Sequence, residues 1–203
     1  MRNRFNNWLY KGEYTTDKRV FDVGITTRQA LDSGQGLDDF FSNGNGSLMR
    51  ILPLVFINST NDEIDEVSAI THAHSISKEA CRIYVNIIKS LVQKKNLRDI
   101  LDNLECSEHF SRLKYLYTLK EEEIKSTGYV VDTLEASLWC VLTPNSFEES
   151  VLKAINLGDD TDTIGAITGG LSGIIYGFNN IPKDWIEKLR NKEEIEEYLF
   201  YII

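Results

Sequence analysis

The sequence predicts an all-α fold, and three observations lead there. Apolar residues recur at helical spacing in block after block along the chain. Alternating strand patterns are nearly absent. Prolines number three in 203 residues, where average usage would give roughly ten, and long stretches without proline suit helices.

The elements follow in order. Met1, Phe5, Trp8 and Leu9 lie on one helical stripe from the first residue, without a Ser, Thr, Asp or Asn cap. The chain is therefore expected to begin inside an element whose earlier turns are absent. Lys11 to Asp22 reads as loop. Thr26 or Thr27 is positioned to cap a short helix through Leu31, and Ser33 to Gly36 breaks it. Ser42 to Ser47 is a dense turn cluster with two Asn-Gly pairs, followed by an apolar segment, Leu48 to Ile57, that Pro53 interrupts. Thr60 with Glu63 has the capping-box offset for a helix carrying Ile64, Val67 and Ile70. Ser77 is expected to open the next helix, with Ala80, Ile83, Tyr84, Ile87, Ile88 and Leu91 on its apolar face. Further helices are predicted over 97–104 and 110–124, the latter with an acidic end at Glu121 to Glu123. Another spans 130–142 and stops at Pro144. Asn145 or Ser146 caps 147–157, Gly158 ends that helix, and 160–177 forms the next. Helices over 183–189, behind Pro182, and over Glu193 to Tyr201 close the chain.

Composition narrows the function classes. Hydrophobic content of 42% and charged content of 26% are ordinary globular values, and no linker of domain-separating length occurs, so residues 1–203 read as a single domain. A net charge of −9 argues against a general nucleic-acid binder and against a polybasic membrane anchor. The longest apolar run, near Ile51 to Ile57, falls far short of the roughly 18 residues of a membrane span. Cys81, Cys106 and Cys140 are scattered and odd in number, which fits reduced thiols in a cytoplasmic protein.

The chemistry concentrates between Asn156 and Gly165. Asp160, Asp162 and Thr163 can converge three oxygens at a helix N-terminus, a donor set suited to a hard ion such as Mg²⁺. Capping of the helix by the same residues is the other reading. An EF-hand loop counted from Asp160 would need Glu at its twelfth place, where Leu171 stands. A phosphatase-type acidic loop would follow a buried strand, but Val151, Leu152, Ala154 and Ile155 fit an amphipathic helix. Downstream, Gly165, Gly169, Gly173 and Gly177 recur every four residues, each costing helix stability near 1 kcal/mol relative to Ala. Close approach of another helix or a ligand is the compensation expected.

The segment Asn156 to Gly177 resembles the C-terminal signature of the ADP-ribosylglycohydrolase family. Asn43-Gly44-Asn45-Gly46-Ser47-Leu48-Met49-Arg50 resembles that family's Gly-Asn-Gly loop, Thr71-His72 its Thr-His pair, and Ser126 to Ala136 the stretch that carries a ligand-facing aromatic. Gly12-Glu13-Tyr14 through Thr26-Thr27 reads like the family's middle region. The blocks occur in family order over nearly the whole chain.

The resemblance implies an all-α bundle around a paired Mg²⁺ site, with Asp160, Asp162 and Thr163 as its C-terminal ligands. Asn43, Gly44, Asn45, Gly46 and Ser47 match the loop against diphosphate and ribose, and His72 and Tyr129 match positions near ADP-ribose. It implies Mg²⁺-dependent hydrolysis of the bond linking ADP-ribose to a protein side chain or small molecule. The different-class alternative is an ADP-ribose-binding or scaffold protein without turnover. One part of the pattern is absent: members begin with a Gly-Asp-rich segment and a Thr/Ser-Asp-Asp-Thr motif, and Thr15-Thr16-Asp17 lacks the second Asp. The chain is therefore expected to be an N-terminally truncated family domain whose catalytic acid or base lies in the missing segment. It would be a fragment, a part completed in trans, or a non-catalytic binder. The missing helices are expected to leave apolar surface that favours association.

Overall fold

In a computed structural model the structure describes residues 1–199. It is built from ten α-helices and short 3-10 segments, and no strand forms among the described residues. α1 (Arg2–Lys11), α2 (Ile25–Ser33), α3 (Asn61–Ser68), α4 (Ser75–Val92), α5 (Leu97–Asp102), α6 (Val130–Trp139), α7 (Phe147–Asn156), α8 (Thr161–Tyr176), α9 (Lys183–Glu187) and α10 (Lys192–Leu199) run in that order. The predicted C-terminal limit at Tyr201 lies outside the described residues.

One apolar cluster holds the bundle together, and α4 is its axis. Ile76, Ala80, Cys81, Ile83, Tyr84, Ile87, Ile88 and Leu91 are buried on it, and it packs against α3, α6 and α8. Each such aliphatic or aromatic side chain contributes roughly 1.5–3 kcal/mol on leaving water. α6 is buried on all sides from Thr133 to Trp139, as a helix covered by neighbours on every face must be. α7 and α8 pack closely and antiparallel, with Gly165 beside Ile155 and Gly169 beside Val151. The three cysteines are free, two of them buried. No described helix is long and apolar enough to cross a membrane.

Local chemistry explains most boundaries. Thr60 and Glu63 form the full capping box at α3, and Ser146 caps α7 by accepting from Glu149 N. α1 starts at Arg2 with no side-chain cap. Gly12 and Gly34, both left-handed, end α1 and α2.

Several predicted boundaries move, each for a physical reason. Gly24 precedes α2, so neither Thr26 nor Thr27 caps it. At α4 the cap is His74, whose ring Nδ1 accepts from Ile76 N, while Ser77 lies a turn inside and donates to Asn43 Oδ1. The helix expected over 110–124 is two 3-10 pieces, Glu108–Thr118 kinked at Tyr115, and Glu121–Glu123. A continuous helix would place three carboxylates at its negative C-terminal end. In the observed arrangement they open a turn of their own, and the extended Leu119 carbonyl accepts from Trp139 Nε1. The glycine stripe of α8 is only partly explained by packing. A Cβ at Gly165 would come 3.1 Å from Ile155, but Gly173 and Gly177 face nothing within 4 Å. The tightest glycine of α8 is off the stripe: a Cβ on Gly170 would stand 2.8 Å from Leu52 and 2.9 Å from the Tyr84 hydroxyl.

Candidate functional site

Three loops far apart in sequence are stitched together at one end of the bundle. Asn45 N donates to Gly128 O and Val130 N to Asn43 O, both at 3.0 Å, pairing the Gly-Asn-Gly loop with the turn before α6. Asp160 N donates to Ser126 O at 3.1 Å, which brings the acidic turn to the same place. The side chain of Asn45 closes the knot. Its Nδ2 donates to Thr133 Oγ1 at 2.9 Å and to Asp160 Oδ2 at 2.6 Å, and Thr133 Oγ1 donates to Thr127 O. A buried amide held by two partners fixes where the Asp160 carboxylate stands.

The acidic turn is not a cap. Gly158 and Asp159 are both left-handed (φ 90° and 50°), so the chain turns sharply out of α7 before α8 begins. Asp160 occupies the N-cap place of α8 yet makes no side-chain cap bond. Among the described residues, the second oxygen of Asp160, the Asp162 carboxylate and the Thr163 hydroxyl accept and donate nothing. Asp162 is exposed, Asp160 is half-buried and Thr163 is 9% exposed. Carboxylate and hydroxyl oxygens are the donor chemistry of a hard cation, so these three residues fit Mg²⁺ as a partial shell. Nowhere among the described residues do three or more His, Cys, Asp or Glu gather into a metal cluster.

These groups open onto a cavity of about 1020 Å³, lined among others by Gly44, Asn45, Gly46, His72, Asp160, Asp162 and Thr163. That volume sits at the upper end of typical small-molecule sites. Asn43 and Ser47 do not line it. The Asn43 amide donates to Phe40 O and accepts from Ser77, and the fully buried Ser47 accepts from Cys81 Sγ. Both side chains hold the loop rather than face a ligand. Tyr129 does not line the cavity either; it is half-buried against the core, its backbone is bridged to Gly44, and burial raises its phenol pKa. His72 is almost completely buried at the floor. Burial, with the nearby Arg50 charge, holds its pKa down to about 3, so the ring is neutral.

Sequence reasoning missed several contributors. Thr133 and Gly128 reach the site only through the pairing of loops. Arg50, quoted within the Gly-Asn-Gly motif, bonds to Gly46 O and Thr71. Its place seven residues after Asn43 in a glycine-rich run was the available signal. The cavity wall also takes the half-buried Trp8 and the exposed Tyr14, Phe21 and Phe41, and no periodicity separates the exposed three from ordinary surface.

Known proteins resemble this chain along most of its length. A family profile described as ADP-ribosylglycohydrolase matches residues 1–201. The chain is 33% identical over 225 aligned residues to ADP-ribosylarginine hydrolase Tri1 of Serratia proteamaculans, covering 99% of this chain and 60% of that one. It is 31% identical to the ADP-ribosyl-[dinitrogen reductase] glycohydrolase of Rhodospirillum rubrum over 88% of this chain and 63% of that one. A solved structure titled ADP-ribosylglycohydrolase-related protein complex superposes with a TM-score of 0.71 at 29% identity, covering 86% of this chain and 66% of that one. The chain thus spans about 60% of the length of these curated relatives.

Proposed function

The chain belongs to the ADP-ribosylglycohydrolase family, and from that premise we propose that its cavity binds ADP-ribose and serves Mg²⁺-dependent hydrolysis of the bond joining ADP-ribose to a protein side chain or small molecule. The observation that carries this reading is the convergence of Asp160, Asp162 and Thr163 with Gly44, Gly46 and His72 on one cavity. Asp17, Asp22 and Asp39 line it too, against Arg19 and Arg190. A diphosphate entering so acidic a cavity needs a cation to offset Coulomb repulsion, which supports the metal assignment.

Asp160, Asp162 and Thr163 would hold the ion, which supplies Lewis-acid polarisation of ribose or water oxygens when bound. Asn45 keeps the Asp160 carboxylate in place. The glycines at 44 and 46 let the loop close against the His72 ring, and His72, being neutral, offers an N–H to a ligand oxygen without adding charge. Two carboxylates and one hydroxyl fill only part of an octahedral shell, so turnover is assigned to this donor set only together with further acidic groups. The same partial shell supports a second reading, ADP-ribose binding without turnover. The exposed Phe21, Ile25, Phe41 and Met49 around the mouth support association through apolar surface on this side. The free cysteines support a reducing, cytoplasmic location.

The name of one relative specifies ADP-ribosylarginine, so an ADP-ribosylarginine peptide is the first probe. Release of ADP-ribose that needs Mg²⁺ supports hydrolysis. A melting temperature raised by ADP-ribose plus Mg²⁺ without release supports binding alone. A melting temperature that ignores both removes the ADP-ribose reading.

A further inference from the structure

Arg50 carries a charge with little around it to compensate it. Burial lowers its pKa to about 10, and among the described residues it has no carboxylate partner. Its Nε is buried with nothing to bond, and its guanidinium lies over the Phe5 ring, 5.1 Å from the centroid. A half-buried cation without a counter-ion is costly, so its remaining bonds point to what it does. Nη1 donates to Gly46 O. Nη2 donates to Thr71 Oγ1 at 2.7 Å and, at 3.4 Å, to Val67 O. Thr71 Oγ1 stands 2.7 Å from His72 Nδ1.

These contacts determine the hydrogens. A guanidinium only donates, so Thr71 Oγ1 accepts from Arg50. Thr71 is 1% exposed, and its own hydrogen has one acceptor within reach, His72 Nδ1. Were Nδ1 protonated, the hydroxyl would accept twice and its hydrogen would be stranded in the interior. We infer that Arg50 and Thr71 are positioning residues that form a one-way relay, Arg50 to Thr71 to His72, and that this relay fixes the imidazole as the Nε2–H tautomer facing the cavity. The backbone agrees: His72 N donates to Ser68 O, Ser68 Oγ donates to His72 O, and Leu37 bridges the flanking residues. The glycine loop meets the ring on its far side. A Cβ at Gly46 would stand 2.8 Å from His72 Cε1, and one at Gly44 3.5 Å from Nε2. One cation thus holds the loop through Gly46 O and the donor through Thr71.

The relay rests on the cavity being the ADP-ribose site only for its purpose; its existence is read without ligand. The test is ¹⁵N spectroscopy of the imidazole nitrogens in ¹⁵N-histidine-labelled protein, with the His72 signals identified by their loss in His72→Gln. The relay predicts protonated Nε2 and unprotonated Nδ1 in the unaltered protein at neutral pH. Protonated Nδ1 there overturns the relay without any variant. Thr71→Ser keeps the pattern, whereas Thr71→Val, which removes the hydroxyl that donates to Nδ1, moves the Nδ1 resonance toward that of an imidazole nitrogen without a hydrogen bond. An unchanged Nδ1 resonance in folded Thr71→Val also overturns it. In parallel, ADP-ribose affinity should fall roughly tenfold in Thr71→Val, the effect of one lost hydrogen bond, and recover in Thr71→Ser. If no variant and no metal yields ADP-ribose binding while the nitrogen pattern holds, the ligand assignment fails and the relay stands.

Discussion

Two helix starts in this protein carry nearly the same composition and do opposite things. At Thr60-Asn61-Asp62-Glu63 the side chains close onto the backbone: Thr60 accepts from Glu63 N, and Glu63 Oε2 accepts from Thr60 N at 2.7 Å. At Asp160-Thr161-Asp162-Thr163 no side chain caps the helix, and Asp160 instead takes a hydrogen bond from Asn45, 115 residues away. The first is exposed and satisfied locally. The second is held by a neighbouring loop, with its remaining oxygens turned to a cavity. Acidic and hydroxyl residues at a helix N-terminus thus carry no fixed meaning; what distinguishes a cap from a ligand set is whether the backbone or another element takes the oxygen.

The contrast predicts separable consequences, and the largest is at Asp162. Asp162→Ala should weaken Mg²⁺-dependent ADP-ribose binding by more than the roughly 100-fold that loss of a supporting partner typically costs. Its circular dichroism should stay unchanged, because no cap bond is lost. A fall in helix content would make the second start a cap like the first. Gly46→Ala comes next. Its Cβ would press on the buried His72 ring, and overpacking of this kind costs about 1–3 kcal/mol, read as a lower urea midpoint.

His72 gives a pH test of similar size. Its folded pKa of about 3 lies below the ordinary value of 6.5, so between those values the unfolded chain binds the extra proton. Its contribution is therefore fully present above pH 6.5 and is lost as pH falls, by up to about 1.4 kcal/mol per unit. Chemical denaturation across pH 4–7 should show a shallower slope in His72→Gln than in the parent. Thr60→Ala is the smallest change: about 1 kcal/mol of stability, with ADP-ribose and Mg²⁺ binding unaffected.

Much of this was legible in the residues. Helical periodicity placed α3, α4, α6, α7 and α8 to within a few residues, because each buries an apolar stripe whose spacing is written locally. Capping chemistry was legible at Thr60 and Ser146 for the same reason. It failed at α4, where His74 took the role expected of Ser77, because a buried Asn43 needed the serine hydroxyl as its donor. The 110–124 region failed because its apolar pattern does not register what three adjacent carboxylates do to a helix end.

The candidate site divides along the same line. Motif order marked the Gly-Asn-Gly loop, Thr71-His72 and the acidic turn, since these carry unusual residues at short range. It could not sort the loop itself, in which Asn45, Gly44 and Gly46 meet the cavity while Asn43 and Ser47 turn inward. Nor could it place Arg50 beneath His72 or Thr133 behind Asn45. Helix type and turn position follow from interactions a few residues apart, and those are present in the chain before it folds. The direction of a carboxylate, the tautomer of an imidazole and the solvation of a half-buried guanidinium depend on partners elsewhere in the chain, and they acquire definite values once the packed bundle has excluded water around them.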